Sequence, residues 1–237
     1  MRALSNAEFL GLWERGFRLH PVEQGLLALS AALPEVSHES LADWPLGRRN
    51  SALVELRDSC FGSSLHGWTA CTRCGEKMEF EMDSRVLLKE AADQKPSPDE
   101  AIVVKGQSFR LPTSRDLAQA ANETDCREAA IRLIERCRIG NGESVGWSAE
   151  DLEEIGERME LADPLAETRL ALKCPACDNE WNETLDIASF FWEEIEARAK
   201  RILWEIHAFA SAYGWTEAEI LSLSETRRAL YLEMMQA

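Results

Sequence analysis

The sequence predicts an α+β protein that is mainly helical, in which a four-cysteine zinc ribbon is split by a folded helical insertion and followed by a C-terminal helical segment. Two Cys-x-x-Cys pairs, each flanked by short strand-like segments, predict the ribbon. Long segments with apolar residues at helical spacing predict the helices. The chain has 237 residues, of which 45% are hydrophobic, and this is enough for a sizeable core.

Residues 1–59 form a predicted N-terminal helical region. Apolar side chains recur at helical spacing over residues 5–17, and Pro21 begins a second helix that runs through Ala32. Residues 39–58 are predicted to be helical in part. We expect a break at Trp44-Pro45 and a further short helix from Arg49 to Arg57.

Residues 60–110 hold the first half of the predicted ribbon and a hairpin. The knuckle Cys71-Thr-Arg-Cys74 lies between an apolar segment that ends at Ala70 and the alternating segment Lys77–Met82. Val86–Lys89 is expected to extend a strand, and residues 90–100 are expected to form a loop. Two further strands are predicted on either side of a Gly106-Gln107 turn.

Residues 111–164 are predicted to be a helical insertion, with helices at 114–121, 123–138 and 148–161 and a flexible loop at 140–144. Capping boxes are predicted at Thr113 with Asp116 and at Ser148 with Asp151. Arg110, Arg115 and Asp116 could also serve a site. A well-capped helix start is the simpler interpretation of the same residues.

Residues 165–186 are predicted to be the second half of the ribbon. The knuckle Cys174-Pro-Ala-Cys177 is preceded by an apolar segment and followed by the alternating segment Glu180–Leu185, as in the first half. A tetrahedral zinc site requires four ligands, and two such pairs supply four thiolates. We therefore predict one shared Zn²⁺ site made of four residues: Cys71, Cys74, Cys174 and Cys177.

Other uses of these cysteines remain possible on the sequence alone. A disulfide framework suits small secreted chains, whereas this chain has seven cysteines and is expected to have no signal peptide. A redox pair normally opens a helix, but strands are predicted here. Two separate metal sites would need additional ligands, and His66 is the only histidine near either cysteine pair in the sequence. Cys126 and Cys137 are expected to be buried apolar residues, and Cys60 is left over.

Residues 187–237 are predicted to form a C-terminal helical region. A long helix from Ile187 to Tyr213 ends at Gly214, and capping residues Thr216 and Ser224 begin two shorter helices. The apolar stripe of the long helix is wide. Core packing is its default role, and binding to a partner is the alternative. His207 is expected to be packed or exposed and not to bind a metal.

Charge argues against several functions. The net charge is −16, with 42 acidic and 26 basic residues, whereas nucleic-acid binding needs clustered lysines and arginines. No apolar run reaches the roughly 20 residues that cross a bilayer, so we expect a soluble, cytoplasmic protein without a membrane partner. Four thiolates would fill a zinc shell, and no HExxH, GxSxG or glycine-rich phosphate loop is present, so we predict that the chain is not an enzyme.

Part of the chain resembles a known family. Several short motifs resemble the T-even-like baseplate hub assembly chaperones of contractile phage tails and extracellular contractile injection systems. These motifs are Phe190-Phe191-Trp192, Glu205-Ile206-His207, Tyr213-Gly214-Trp215, Glu219-Ile220-Leu221, Leu223-Ser224, Arg227-Arg228, Tyr231-Leu232-Glu233, the segment Phe109–Leu117 and the paired knuckles. The resemblance covers roughly residues 60–237 and is strongest in the last fifty. It implies a role in tail assembly and supplies no catalytic residues.

The resulting expectation is a non-enzymatic, zinc-stabilised assembly or structural protein of a contractile tail or injection-system baseplate. It would bind baseplate or hub subunits in the bacterial cytoplasm during assembly, or stay in the tail particle. Aromatic residues of the C-terminal helices are the predicted anchors for this partner: Trp192, Trp204, Trp215 and Tyr231. A zinc-ribbon regulator that binds nucleic acid is the alternative function.

Overall fold

In the computed structural model, which describes residues 1–93, 101–140 and 146–236, the chain begins with a head of four helices. These are α1 (Asn6–Gly16), α2 (Pro21–Ala32), α3 (His38–Ala42) and α4 (Leu46–Phe61). Ser5 and Glu8 form a capping box at the start of α1, and Pro21 occupies the first turn of α2. The predicted helices are confirmed, but α4 begins directly after Pro45 rather than at Arg49.

A hairpin follows the head. Strands β1 (Ser64–Ala70) and β2 (Lys77–Asp83) are antiparallel, with Ala70 opposite Lys77. Helix α5 (Ser84–Asp93) comes next, so the predicted strand at Val86–Lys89 is wrong. Asp83 explains the change, because its carboxylate accepts a hydrogen bond from the Arg85 backbone N–H and caps a helix start. Of the predicted loop at 90–100, residues 90–93 are helical and the others lie outside the described residues.

The insertion begins with a short hairpin of strands β3 (Ile102–Val104) and β4 (Gln107–Phe109). Its two turn residues are Lys105 and Gly106, one position earlier than predicted. Both have positive φ, 49° and 79°, which is the requirement of the tight hairpin turn that matches the twist of two strands. Glycine at the second of these positions adopts that conformation without steric cost.

Helices complete the insertion: α6 (Ser114–Ala120), α7 (Cys126–Cys137), the two-residue strand β5 (Arg138–Ile139) and α8 (Ala149–Ala162). Strand β5 pairs with β4. A second core joins this hairpin to α7 and α8 through seven buried residues: Val104, Phe109, Ile134, Cys137, Trp147, Ile155 and Met159. Asp125 caps α7, which therefore starts later than predicted. Cys137 is buried as expected, but Cys126, the first residue of α7, is exposed, so that expectation is wrong. Most of the predicted loop at 140–144 lies outside the described residues.

The chain ends with a second hairpin and three helices: β6 (Thr168–Lys173), β7 (Glu180–Leu185), α9 (Ile187–Tyr213), α10 (Glu217–Ser222) and α11 (Glu225–Gln236). The predicted bounds of α9 are confirmed, and Gly214 ends it in the left-handed conformation. Within the described parts of the chain, no helix is both long and apolar enough to cross a membrane.

Helix α9 packs against α1, α2 and α4 and so closes the main core with the head. A Cβ on Gly16 would lie 2.2 Å from the Trp192 ring, so α1 and α9 meet at a glycine. Leu65 of β1 and Leu185 of β7 are buried in the same core, which attaches both hairpins to it. The N- and C-terminal regions are therefore one packed unit.

The insertion is fixed to the start of α4. The Asp163 carboxylate accepts a hydrogen bond of 2.8 Å from the Gly47 backbone N–H, and the Leu46 N–H donates to the carbonyl of Pro112. Unpaired N–H groups at a helix start need such acceptors. Residues at both ends of the insertion thus supply the cap that the local sequence of α4 lacks.

Candidate metal centre

The tips of the two hairpins bring four cysteine sulfurs together. All four Sγ atoms lie within 4.8 Å of one another, with Cys71 Sγ 3.7 Å from Cys177 Sγ and Cys74 Sγ 3.6 Å from Cys174 Sγ. In a tetrahedron with metal–sulfur bonds of about 2.3 Å, two sulfurs lie about 3.8 Å apart. The predicted ligand residues therefore meet at a spacing compatible with one metal ion.

The two knuckles have matching backbones. In the first, the Cys71 N–H donates to the Glu76 carbonyl and the Gly75 N–H donates to the Cys71 carbonyl. In the second, the Cys174 N–H donates to the Asn179 carbonyl and the Asp178 N–H donates to the Cys174 carbonyl. Gly75 and Asp178 occupy equivalent positions with φ of 75° and 54°. Glycine and aspartate both tolerate this left-handed conformation, so both turns can form without much backbone strain.

The cluster perturbs the ionisation of its own thiols. Burial opposes ionisation of Cys71, but backbone N–H donors from Cys74 and Arg73 and the neighbouring thiols outweigh it and lower its pKa to about 6. The Glu76 N–H lowers the pKa of Cys74, but the neighbouring thiols, led by Cys177, raise it to about 12. A second thiolate beside the first is therefore unfavourable without a cation. A bound metal ion reverses this, since it stabilises every coordinated thiolate.

Side chains beyond the cysteines also join the two hairpins. Asn179 Nδ2 donates to Thr72 Oγ1 over 3.2 Å, and Thr69 Oγ1 donates to a Glu183 carboxylate oxygen over 3.3 Å. Cys71 and Cys174 are buried, whereas Cys74 is exposed. One side of the cluster thus faces the protein and the other faces solvent.

Neither His66 nor Cys60 belongs to the four-sulfur cluster. His66 Nε2 lies 3.0 Å from Ser64 Oγ and 3.8 Å from a Glu81 carboxylate oxygen on the same hairpin. Cys60 Sγ accepts a weak hydrogen bond from the Leu4 backbone N–H. Among the described residues, the four predicted cysteines form the one group that could bind a metal ion.

Asp116 is the centre of a buried charge cluster in the insertion. Its carboxylate accepts hydrogen bonds from Thr113, Arg110 and Arg136, and its pKa is lowered because these donors outweigh its burial. Arg115 instead pairs with Asp43 of the head. The residues that could have served a site therefore hold one another at a capped helix start. Arg136 was missed because it lies on the next helix along the chain.

No family model, curated protein or solved structure matches the chain. The chemistry of its own side chains therefore has to indicate its function. The four cysteine sulfurs are the side-chain atoms of the described residues that could together bind a metal ion.

The four predicted partner anchors lie in different environments. Trp192 is 7% exposed and packs in the main core, so it is not accessible to a partner. Trp204 is 56% exposed. Trp215 and Tyr231 are half-buried and contact each other, with ring centres 5.0 Å apart. Trp215 also stacks on Tyr213 at 4.7 Å, so this aromatic cluster holds α11 against the end of α9.

Helices α9 and α11 both carry exposed apolar side chains near these aromatic residues in the sequence. We call the following set the C-terminal surface: Leu203, Trp204 and Tyr213 of α9 with Leu230 and Met234 of α11. Leu230 and Met234 could not be singled out from the sequence, because the apolar residues of α11 do not follow a single stripe. Underneath, the buried Arg228 of α11 donates to the buried Glu205 of α9 over 2.9 Å, which fixes the two helices together.

Proposed function

We propose that this chain is a non-enzymatic, zinc-stabilised structural or assembly protein. A Zn²⁺ ion held by the four cysteines would join the two hairpins into a split zinc ribbon. The observation that carries this proposal is the sulfur spacing, which suits the tetrahedral thiolate shell that zinc prefers. Four protein ligands leave no coordination position for water or substrate, which supports a structural role for the ion rather than a catalytic one.

The proposed partner is a baseplate or hub subunit of a contractile tail or injection system. The C-terminal motifs that resemble baseplate assembly proteins suggest this class of partner, and they lie in the same helices as the C-terminal surface. Tryptophan is enriched among binding hot spots, and Trp204 is exposed on α9. The net charge of −16 supports the role further, because it discourages nonspecific association before assembly.

Substitution of Trp204 tests the proposed interface. The protein is co-expressed with baseplate and hub subunits of a contractile tail, and the captured subunits are quantified. We expect Trp204→Ala to weaken capture about thirtyfold, which corresponds to a hot-spot truncation of about 2 kcal/mol. Trp68→Ala is the matched control, since Trp68 is 71% exposed on the first hairpin, and it should capture as well as wild type. Undiminished capture by the Trp204 variant would contradict the proposed surface.

Point substitution is a better test than deletion of the C-terminal helices. Helix α9 supplies part of the main core, so a chain that ends before Ile187 would lose packing against the head. The same protein preparation can be titrated with DNA and RNA at physiological ionic strength. We expect no binding, whereas salt-dependent binding would favour the nucleic-acid-binding alternative.

A further inference from the structure

Arg49 is a buried arginine that forms no ion pair with a carboxylate among the described residues. Its side chain lies on α4, and the residue is 4% exposed. Its Nε and Nη2 atoms both donate to Asn50 Oδ1, over 3.0 and 2.8 Å, and Nη1 donates to Ser114 Oγ over 3.3 Å. A guanidinium carries five N–H groups, so these bonds leave two of them unmatched.

The other buried arginines of the described residues are paired. Arg57 donates to Glu194 over 2.7 Å, and Arg228 donates to Glu205 over 2.9 Å. Arg49, in contrast, takes part in no ion pair among the described residues. Burial lowers its pKa, which the charge of Asp186 only partly offsets. A buried charge without a partner is unfavourable, so an absent anion would stabilise this position.

A pocket of about 310 Å³ adjoins Arg49. It lies where the head, the insertion, the second hairpin and α9 meet. Its wall is largely apolar and includes Val22, Leu46, Leu117, Leu185 and Ala188. This volume corresponds to about ten water molecules, which is the size range of a small organic ligand rather than of a single ion.

The acidic residues that line this pocket already have partners. Asp186 caps α9, where it accepts hydrogen bonds from the Ala188 N–H and the Ser189 hydroxyl. Glu167 pairs with Arg169 over 3.1 Å. Two N–H groups of Arg49 therefore lack an acceptor among the described residues at this junction. Two carboxylates in the wall would repel a doubly charged phosphate more strongly than a singly charged anion.

We propose that this pocket binds a small carboxylate with an apolar body. The carboxylate pairs with the Arg49 guanidinium, whose planar fork suits two carboxylate oxygens, and the apolar body lies against the leucine, valine and alanine side chains. This site is independent of the metal centre and of any tail partner. Its ligand would stabilise the junction of four parts of the chain.

Thermal unfolding with hexanoate tests this proposal, with hexanol and hexylamine as probes of the same apolar length. We expect saturating hexanoate to raise the melting temperature of the wild-type protein by roughly 2–4 °C and the other two probes to have little effect. Arg49→Met should abolish the response. This variant should itself remain folded, because methionine fills similar space without a buried charge.

A second variant keeps the test decisive if Arg49→Met does not fold. Ala166 lines the same pocket, so Ala166→Leu fills part of it and leaves the guanidinium in place. We expect this variant to lose hexanoate binding in calorimetric titration. The proposal is overturned if wild type does not respond to hexanoate, if hexanol stabilises it equally, or if either folded variant responds as wild type does.

Discussion

Cys174 is the fully buried ligand residue of the candidate metal centre, and serine in its place would remove one of four sulfurs. We expect Cys174→Ser to lower the zinc content well below one ion per chain. The free energy of unfolding should fall by about 4 kcal/mol or more, because metal-binding free energy contributes to folding. Metal analysis and thermal unfolding measure both effects.

Cys126→Ser is the matched control for this substitution. Cys126 is exposed on the insertion and lies outside the sulfur cluster. We expect wild-type zinc content and melting temperature for this variant. Full zinc content and unchanged melting in the Cys174 variant would refute the proposed metal site.

Gly47 tests the cap that the insertion supplies to α4. A Cβ at this position would lie 1.9 Å from Asp163 Oδ1, so Gly47→Ala should displace the carboxylate and leave a helix-start N–H without its acceptor. We expect a loss of about 1–3 kcal/mol in denaturant unfolding. Gly156→Ala is the control, because nothing lies within 4 Å of its added Cβ and alanine favours a helix interior by roughly 0.5–1 kcal/mol. Equal effects of the two substitutions would contradict the capping role.

Glu8 predicts a pH dependence at the start of α1. Hydrogen bonds from Arg2 lower its pKa from 4.5 to about 2, against the opposing effect of burial. Since the folded-state pKa is depressed, the stability that Glu8 contributes is present above about pH 4.5 and is lost as the pH falls towards 2. Glu8→Gln keeps a capping side chain but removes the charge. It should cost about 0.5–1 kcal/mol at pH 7 and much less at pH 2, as measured by urea unfolding. An equal cost at both pH values would contradict this prediction.

At the scale of elements, α9 could be predicted fully and α5 could not. The apolar stripe of α9 spans many turns, and Gly214 marks its end, so the local signals agree. The apolar run Val86-Leu87-Leu88 has no such length, and a short apolar run fits a strand as well as a buried helix. Leu87 is buried and Val86 is exposed, and which of the two is buried depends on how the segment packs against the rest of the fold.

The candidate metal site was predictable because its signal is local. Each knuckle carries its own cysteines, its turn residue and its flanking strands within one short segment. The Arg49 pocket gives no comparable signal, since its walls come from distant parts of the chain. Trp192 illustrates the same limit. Its position in the apolar stripe fits either a core residue or a partner anchor, and its close packing against Gly16 of α1 makes it a core residue.

At the scale of the whole molecule, we expect the hairpins to depend on a bound metal ion more than the head does. The main core contains α1, α2, α4 and α9, whereas each hairpin contributes few buried side chains to it. After chelation of the metal, we expect faster amide exchange in residues 64–83 and 168–185, while the core helices stay protected. Hydrogen exchange with mass spectrometry measures this difference. Equal loss of protection in the head would show that the metal holds the entire fold.

The split between the two knuckles also has a consequence for synthesis of the chain. Cys74 and Cys174 are 100 residues apart, so at typical translation rates roughly 5–20 s pass between their appearance on the ribosome. During that interval the first knuckle offers two thiols, and the head helices lack α9, which covers their apolar faces. Nascent chains are therefore expected to acquire a metal ion and the closed core only after the second knuckle and α9 have been translated.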